Sequence, residues 1–390
     1  MSLNDLTIEQ IDTVLNTVVQ QATGYNNIAN YNGNALITVA QTALRSTPDP
    51  VMNAISQVLS RTIFSVRNYT RKLRSLRVDT IRYGNHVRKI NFIDTDAQPN
   101  ASFSLEDGES VDMYTVALLK ILQTNFYGQV AWERQLTTFL TQLDTAMQSR
   151  EQFGSFWSAI LTHTNNQIEQ TYETLARAII VNYIATLISE NKSFRVVKLL
   201  TDYNTETGLE LTAQDIYKSE NFPAFMAWTA SRISRIRRLL TERSVVYHTN
   251  VTGKAVNRHT PYESQRMYLY APVQFDLNMR ALSELFNDKY IKLGDNEIVS
   301  FWQDIQKPDQ IMQTPVYMDN NGAVKTGTAV NKTSVFGVIM DYEAAGYTVI
   351  NERQRTTPLN AKGEYYNTFW KYNTRFWQDN SENGVVLLLE

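Results

Sequence analysis

The chain has 390 residues with 37 Lys and Arg against 39 Asp and Glu, a formal net charge of −2, and is 43% hydrophobic and 11% aromatic. That length supports two or three domains with their own cores, and that composition belongs to a globular rather than a disordered protein. With no cysteine, disulfides, thiolate nucleophiles and thiolate metal sites are excluded.

The chain opens with helical patterns. Thr7 and Gln10 have capping-box spacing, and Ile8, Ile11, Leu15, Val18 and Val19 recur at helical intervals. After a polar loop at 24–34, helical runs are expected over 35–45 and, past Pro48 and Pro50, over 51–66. Residues 61–89 then carry seven Arg and two Lys against one acid, Asp79, whereas 94–112 carry six acids and no base. Arg67, Arg71, Arg74 and Arg77 fall at three- and four-residue steps, which on a helix makes one cationic stripe. Beyond Gly84, residues 87–93 and 102–105 read as strands flanking the acidic stretch, with Pro99-Asn100 and Asp107-Gly108 as turns.

A helix is expected over 133–148, with a break near Gly154. The strongest helical pattern follows: Ile160, Ile168, Tyr172, Leu175, Ile179 and Leu187 recur with no Pro or Gly from 155 to 190. Such a helix is roughly 50 Å long. Its stripe lacks sustained heptads, which predicts a spine lying across a sheet rather than a coiled coil. Further on, 225–240 reads as a helix, 267–270 as a strand and 277–286 as a helix. Asn321-Gly322 marks a hairpin, and 335–340, 347–351 and 385–389 read as strands. Residues 363–379 gather seven aromatic rings. Alternation puts Tyr366, Trp370, Tyr372 and Phe376 on one face and Tyr365, Phe369 and Trp377 on the other, so both faces need cover, one of them from the spine.

Chemical motifs are scarce. His86, His163, His248 and His259 form no HxH or HExxH pair, and neither GxSxG nor GxGxxG occurs. Residues 322–328 imitate a phosphate loop but lack the Lys after the second Gly. No catalytic, cofactor or metal residue is assigned. The acids Asp94, Asp96, Glu106, Asp107, Glu109 and Asp112 lack the ligand spacing of a calcium loop and read as an inter-subunit face. The bases Arg61, Arg67, Arg71, Lys72, Arg74, Arg77 and Arg82 are candidates for facing DNA or a second subunit. Adjacent segments of opposite sign on a nearly neutral chain fit a molecule that meets copies of itself or a polyanion, and do not resemble an active site. The polar opening residues are unlike a secretory leader. The longest apolar stretch, 176–188, is broken by Arg177 and Asn182 and is too short to cross a bilayer. A soluble protein of intracellular origin with no membrane partner is expected.

The order of parts resembles the major capsid proteins of tailed bacteriophages, the HK-ninety-seven-like fold shared with herpesvirus capsids, and most of all the small podoviruses of the phi-twenty-nine type. The likeness is carried by 60–66 (SRTIFSV) leading into the basic stretch and Gly84, and by the excursion ending at 125–129 (NFYGQ). The spine follows, then 266–272 (RMYLYAP), 277–287 (LNMRALSELFN), 338–343 (VIMDYE) and 365–370 (YYNTFW). It implies an α+β capsid fold with a helical N-terminal arm at 1–83 and an extended loop at 84–130. It further implies a peripheral domain with the spine helix at 131–200 and 351–380, and an axial domain at 201–350 and 381–390. It also implies a self-assembling icosahedral or prolate shell of hexamers and pentamers around sequence-independently packaged double-stranded DNA. A scaffold protein and a portal are the implied partners, no cofactor is implied, and assembly would take place in the host bacterial cytoplasm. An encapsulin-like shell and a nucleic-acid-binding protein using 61–89 are the alternatives.

Overall fold

The computed structural model describes residues 69–78, 87–93, 104–111, 120–146, 150–251, 256–277 and 296–390, with positions 100, 114, 116 and 118. The helical patterns expected over 1–66 lie outside these residues, as do Arg61, Arg67, Arg82, Asp94, Asp96 and Asp112.

A 3-10 turn at Arg74–Leu76 precedes strand β1 (Val87–Phe92). Strands β2 (Ile121–Phe126) and β3 (Gln129–Phe139) follow, then helices α1 (Leu140–Ala146) and α2 (Arg150–Glu190), which is the spine. The chain continues through β4 (Val196–Lys198), α3 (Leu199–Thr207), α4 (Ala213–Ile216), α5 (Phe222–Leu240), β5 (Gln265–Tyr270), α6 (Ala271–Asp276) and β6 (Glu297–Val299). Four short strands form two hairpin-like pairs: β7 (Ile311–Gln313) with β10 (Val330–Lys332), and β8 (Val316–Met318) with β9 (Val324–Thr326). Last come β11 (Val335–Asp341), β12 (Ala345–Thr356), β13 (Tyr365–Gln378) and β14 (Gly384–Leu388).

Two sheets organise these elements. One has five strands in the order β4-β14-β11-β5-β6, and the other is an antiparallel β12-β13-β3 sheet. The spine helix belongs to both. Ile168, Tyr172, Leu175, Ile179 and Leu187 share one core with Tyr347, Trp370 and Tyr372 of the three-stranded sheet and with Val338, Met340, Val386 and Leu388 of the five-stranded sheet. The second face of the five-stranded sheet is covered by α5, where Phe225, Met226, Ile233 and Ile236 meet Leu269, Ile339, Val385 and Leu387. Burial on both faces explains why β11 and β14 are continuous apolar runs rather than alternating ones.

The spine, the aromatic strand, the α5 helix and the 317–322 hairpin, with Gly322 at φ +82° in its turn, follow the sequence pattern. Several expectations do not hold. Residues 133–139 are strand, not helix. Trp132 and Leu136 are four apart, a spacing that fits both a helical face and a period of two, and burial follows the strand period. The spine runs through Gly154 without a break, since one glycine costs a helix only about 1 kcal/mol. Ser104 and Leu105 are not in a strand, and β1 pairs instead with β2. Helix α6 starts at Ala271 with Pro272 in its first turn, and all of the expected 277–286 helix after Leu277 lies outside the described residues. The expected stripe of Arg71, Arg74 and Arg77 is absent. Burying both Leu73 and Leu76 turns the chain through a left-handed Leu73 (φ 59°), and Val78 N–H then bonds Tyr347 O at 2.9 Å. On β13, alternation holds from Tyr366 to Thr374. It then shifts, so that Trp377 is buried and donates to Glu343 O at 3.3 Å while Phe376 is half-buried.

Candidate assembly surfaces and the anchor of the hairpin

The segment 69–78 is tied along the spine by carboxylates spaced one helical turn apart. Arg71 pairs with Glu169 at 2.9 Å, and its guanidinium lies over the Tyr172 ring. Glu173 accepts from Tyr69 Oη (2.6 Å), Lys72 N (3.2 Å) and Arg177 NH2 (2.6 Å). Burial alone would raise the Glu173 carboxyl, but these donors hold it below its ordinary range. The same bond, with burial, pushes the Tyr69 phenol up to about 12. Arg74 N and Ser75 Oγ bond Glu297. Of the candidate basic residues, Arg71 is therefore buried and engaged within the chain, Arg77 is half-buried, and Lys72 and Arg74 are exposed. Glu106, Asp107 and Glu109 are exposed around a turn closed by Glu109 N to Glu106 O at 3.1 Å, with Gly108 at φ +91°.

Strands β1 and β2 form an antiparallel hairpin with Phe92 opposite Ile121 and Ile90 opposite Gln123. Alternation gives it two unlike faces. Ile90, Phe92 and Ile121 point outward and are more than half exposed. Val87, Lys89 and Asn91 point the other way and are half-buried. Farther along the connection, Tyr114, Val116 and Leu118 are each about four-fifths exposed.

The inward face is rooted by charge. Lys89 Nζ lies 3.1 Å from Asp379 Oδ2 and 3.2 Å from Glu343 Oε2 and contacts Glu382, which Arg258 also contacts. Asp379 is completely buried, and its other oxygen accepts Ser381 N–H (2.9 Å) and Oγ–H (2.6 Å). Two cations thus face three carboxylates. Burial works against every charge here. The carboxylates outweigh burial at Lys89 and hold its ammonium well above the ordinary range, and Lys89 in turn keeps Asp379 and Glu343 low. For Glu382 burial prevails over both cations and raises it to about 7. Nearby, His248 is bonded to Asn383 and Asn250. Burial, with the Arg258 charge, lowers it to about 4, so it stays neutral.

This cluster is absent from the sequence reading. Lys89 and Asp379 are 290 positions apart, and the only local signal is a lysine on the inward side of an alternating strand. Among the described residues, no group of His, Asp and Glu is arranged to hold a metal ion, and no helix is long and apolar enough to cross a membrane.

The architecture matches solved phage structures. A chain of the capsid of Staphylococcus phage Andhra superposes with a TM-score of 0.54 at 11% identity, covering 83% of this chain and 86% of that one. A chain from a structure of the head fiber and inner core protein gp22 of native bacteriophage P68 gives 0.51 at 11% identity, covering 81% and 83%. At such identity the likeness is one of fold alone. No curated protein sequence matches the chain. The family model of the Phi29-like phage major capsid protein matches residues 11–388, and the chain belongs to that family. It is a tailed-phage major capsid protein, a structural component of the virion present in many copies. None of these likenesses supports the encapsulin or nucleic-acid-binding alternatives.

Proposed function

We propose that hexamers and pentamers of this chain tile an icosahedral or prolate shell around double-stranded DNA, with no catalytic turnover of their own. Assembly takes place in the host cytoplasm with a scaffold protein and a portal. The parts are an N-terminal arm (1–83), an extended loop (84–130), a peripheral domain (131–200 and 351–380) and an axial domain (201–350 and 381–390). One observation supports this reading most. The β1–β2 hairpin is fixed to the body by a buried ionic cluster, yet it turns Ile90, Phe92 and Ile121 to solvent. A rigidly held apolar face without cover is a docking surface, and in a multi-copy capsid the cover is a neighbouring copy. The exposed Glu106, Asp107 and Glu109 meet basic surface on that neighbour, and Lys72 and Arg74 face DNA or a subunit.

An exposed ion pair contributes only about 0–1 kcal/mol, but a shell repeats each contact and holds each subunit through several neighbours. Reversing three charges together (Glu106→Lys, Asp107→Lys, Glu109→Lys) should leave the melting of the unassembled chain unchanged and sharply reduce particle yield. Normal assembly of the triple variant would show that the acidic turn lies at no contact.

A further inference from the structure

We propose that an aromatic-walled cavity at the corner between α4, α5, α6 and the β10–β11 junction binds a primary alkylammonium group. The cavity, of about 80 Å³, has Tyr217, Phe222, Tyr270 and Phe336 in its walls together with Asp276 and Asp309. Four separate places in the chain supply them. Tyr217 caps the end of α4, and Phe222 opens α5. Tyr270 ends β5, and Asp276 closes α6. Asp309 lies in the loop before β7, and Phe336 is a buried residue of β11 in the core beneath α5.

The walls select for charge as well as size. Aromatic rings carry negative π-faces that attract cations, and Tyr217 and Phe222 stack with centroids 5.6 Å apart at 27°. Two carboxylates add full charges of the same sign, and among the described residues no Lys, Arg or His lines the cavity. Burial and the charges of Asp276 and Asp309 raise the Tyr217 phenol, and burial with the Asp309 charge raises that of Tyr270, so the field of the acids reaches the rings. Asp309 is held in place. Its Oδ2 accepts Ser334 N–H at 2.9 Å, the one bond its carboxylate makes among the described residues, which leaves Oδ1 to a ligand. Ser334 donates from a left-handed backbone at φ 58°, a conformation that costs a residue with a side chain.

Size and chemistry define the ligand. A cavity of this volume holds a few water-sized groups, enough for an ammonium on a short alkyl stem and too little for a nucleoside. Both carboxylates repel an anion. A metal ion needs several oxygen or nitrogen ligands, whereas most of this wall is ring and aliphatic surface. An ammonium brings three N–H donors for the carboxylates, and its methylenes lie against the rings. Free amines and lysine side chains share this head group, and the head group is what the cavity recognises.

Titrating the unassembled parent chain with n-butylammonium chloride tests the site independently of the shell reading. Saturation-transfer NMR should show saturable binding in the millimolar range, with a matching rise in melting temperature. At equal concentration n-butanol, sodium n-butyrate and sodium chloride should give neither. Asp309→Asn keeps an oxygen for Ser334 N–H and should weaken binding about tenfold or more. Tyr217→Leu keeps apolar surface, removes a π-face and should weaken it as well. Assembled particles separate the two sources. Binding that persists there assigns the site to free amines. Binding that vanishes, with one lysine shielded from reductive methylation in the parent but not in Asp309→Asn, assigns it to a lysine of a neighbouring chain. Loss of binding with no such lysine would overturn the proposal. So would an absence of saturable n-butylammonium binding by the parent chain, equal binding of n-butanol, or unchanged affinity in whichever of the two variants folds.

Discussion

Replacing Lys89 by methionine keeps most of the side-chain volume and deletes the charge that roots the β1–β2 hairpin. Without it, Arg258 is left facing Asp379, Glu382 and Glu343, and Asp379 is completely buried. Breaking a buried ion pair from one side costs about 3–5 kcal/mol, because the remaining charge stays desolvated. Glu382 already sits near 7 and can take up a proton, which offsets part of the loss, so the lower end, about 3 kcal/mol, is expected. Urea unfolding of the unassembled chain measures this directly. Amide exchange in β1 should accelerate at the same time, since the hairpin loses its root. Adding Glu382→Gln to Lys89→Met restores the charge balance, so the double variant should be more stable than additivity allows by about 1–3 kcal/mol. A loss below about 1 kcal/mol for Lys89→Met, or strictly additive costs in the double variant, would refute the anchor.

The same cluster gives a pH dependence. A raised Glu382 contributes stability that is complete below its ordinary value of 4.5 and is lost as pH rises through about 7. His248, lowered from 6.5 to about 4, acts oppositely, costing stability as pH falls below 6.5. The two separate above 6.5: unfolding free energy should be about 1 kcal/mol lower at pH 8 than at pH 6.5, and Glu382→Gln should flatten that slope. An unchanged slope in Glu382→Gln would place the proton elsewhere. On the spine, Leu175→Ala and Ile179→Ala remove side chains from the core shared by both sheets and should each cost about 2–5 kcal/mol. Unaltered melting in both would mean that this face is not packed.

The sequence made the spine and β13 legible because each has a long run of one period, read against residues as distinctive as Tyr172, Trp370 and Tyr372. Where two periods coincide, as at Trp132 and Leu136, the pattern could not choose, and tertiary pairing with β13 decided for strand. The strand expected over 102–105 is not found at Ser104 and Leu105, and β2, the partner of β1, went unread because strand pairing across a long connection leaves no local trace. The basic stripe failed because two leucines, not the arginines around them, set the path of 69–78. The anchor was least legible of all. Its members, Lys89, Arg258, Glu343, Asp379 and Glu382, are each ordinary in their local sequence and become a cluster only once β1, β11 and the β13–β14 turn converge.

Electron microscopy of the expressed chain, alone and together with the proposed scaffold protein, tests the central claim most directly. The account predicts closed, regular shells built from this chain, with particle size unchanged by nuclease or by the absence of any small-molecule cofactor. A chain that remains monomeric or forms only small discrete oligomers under both conditions would contradict it.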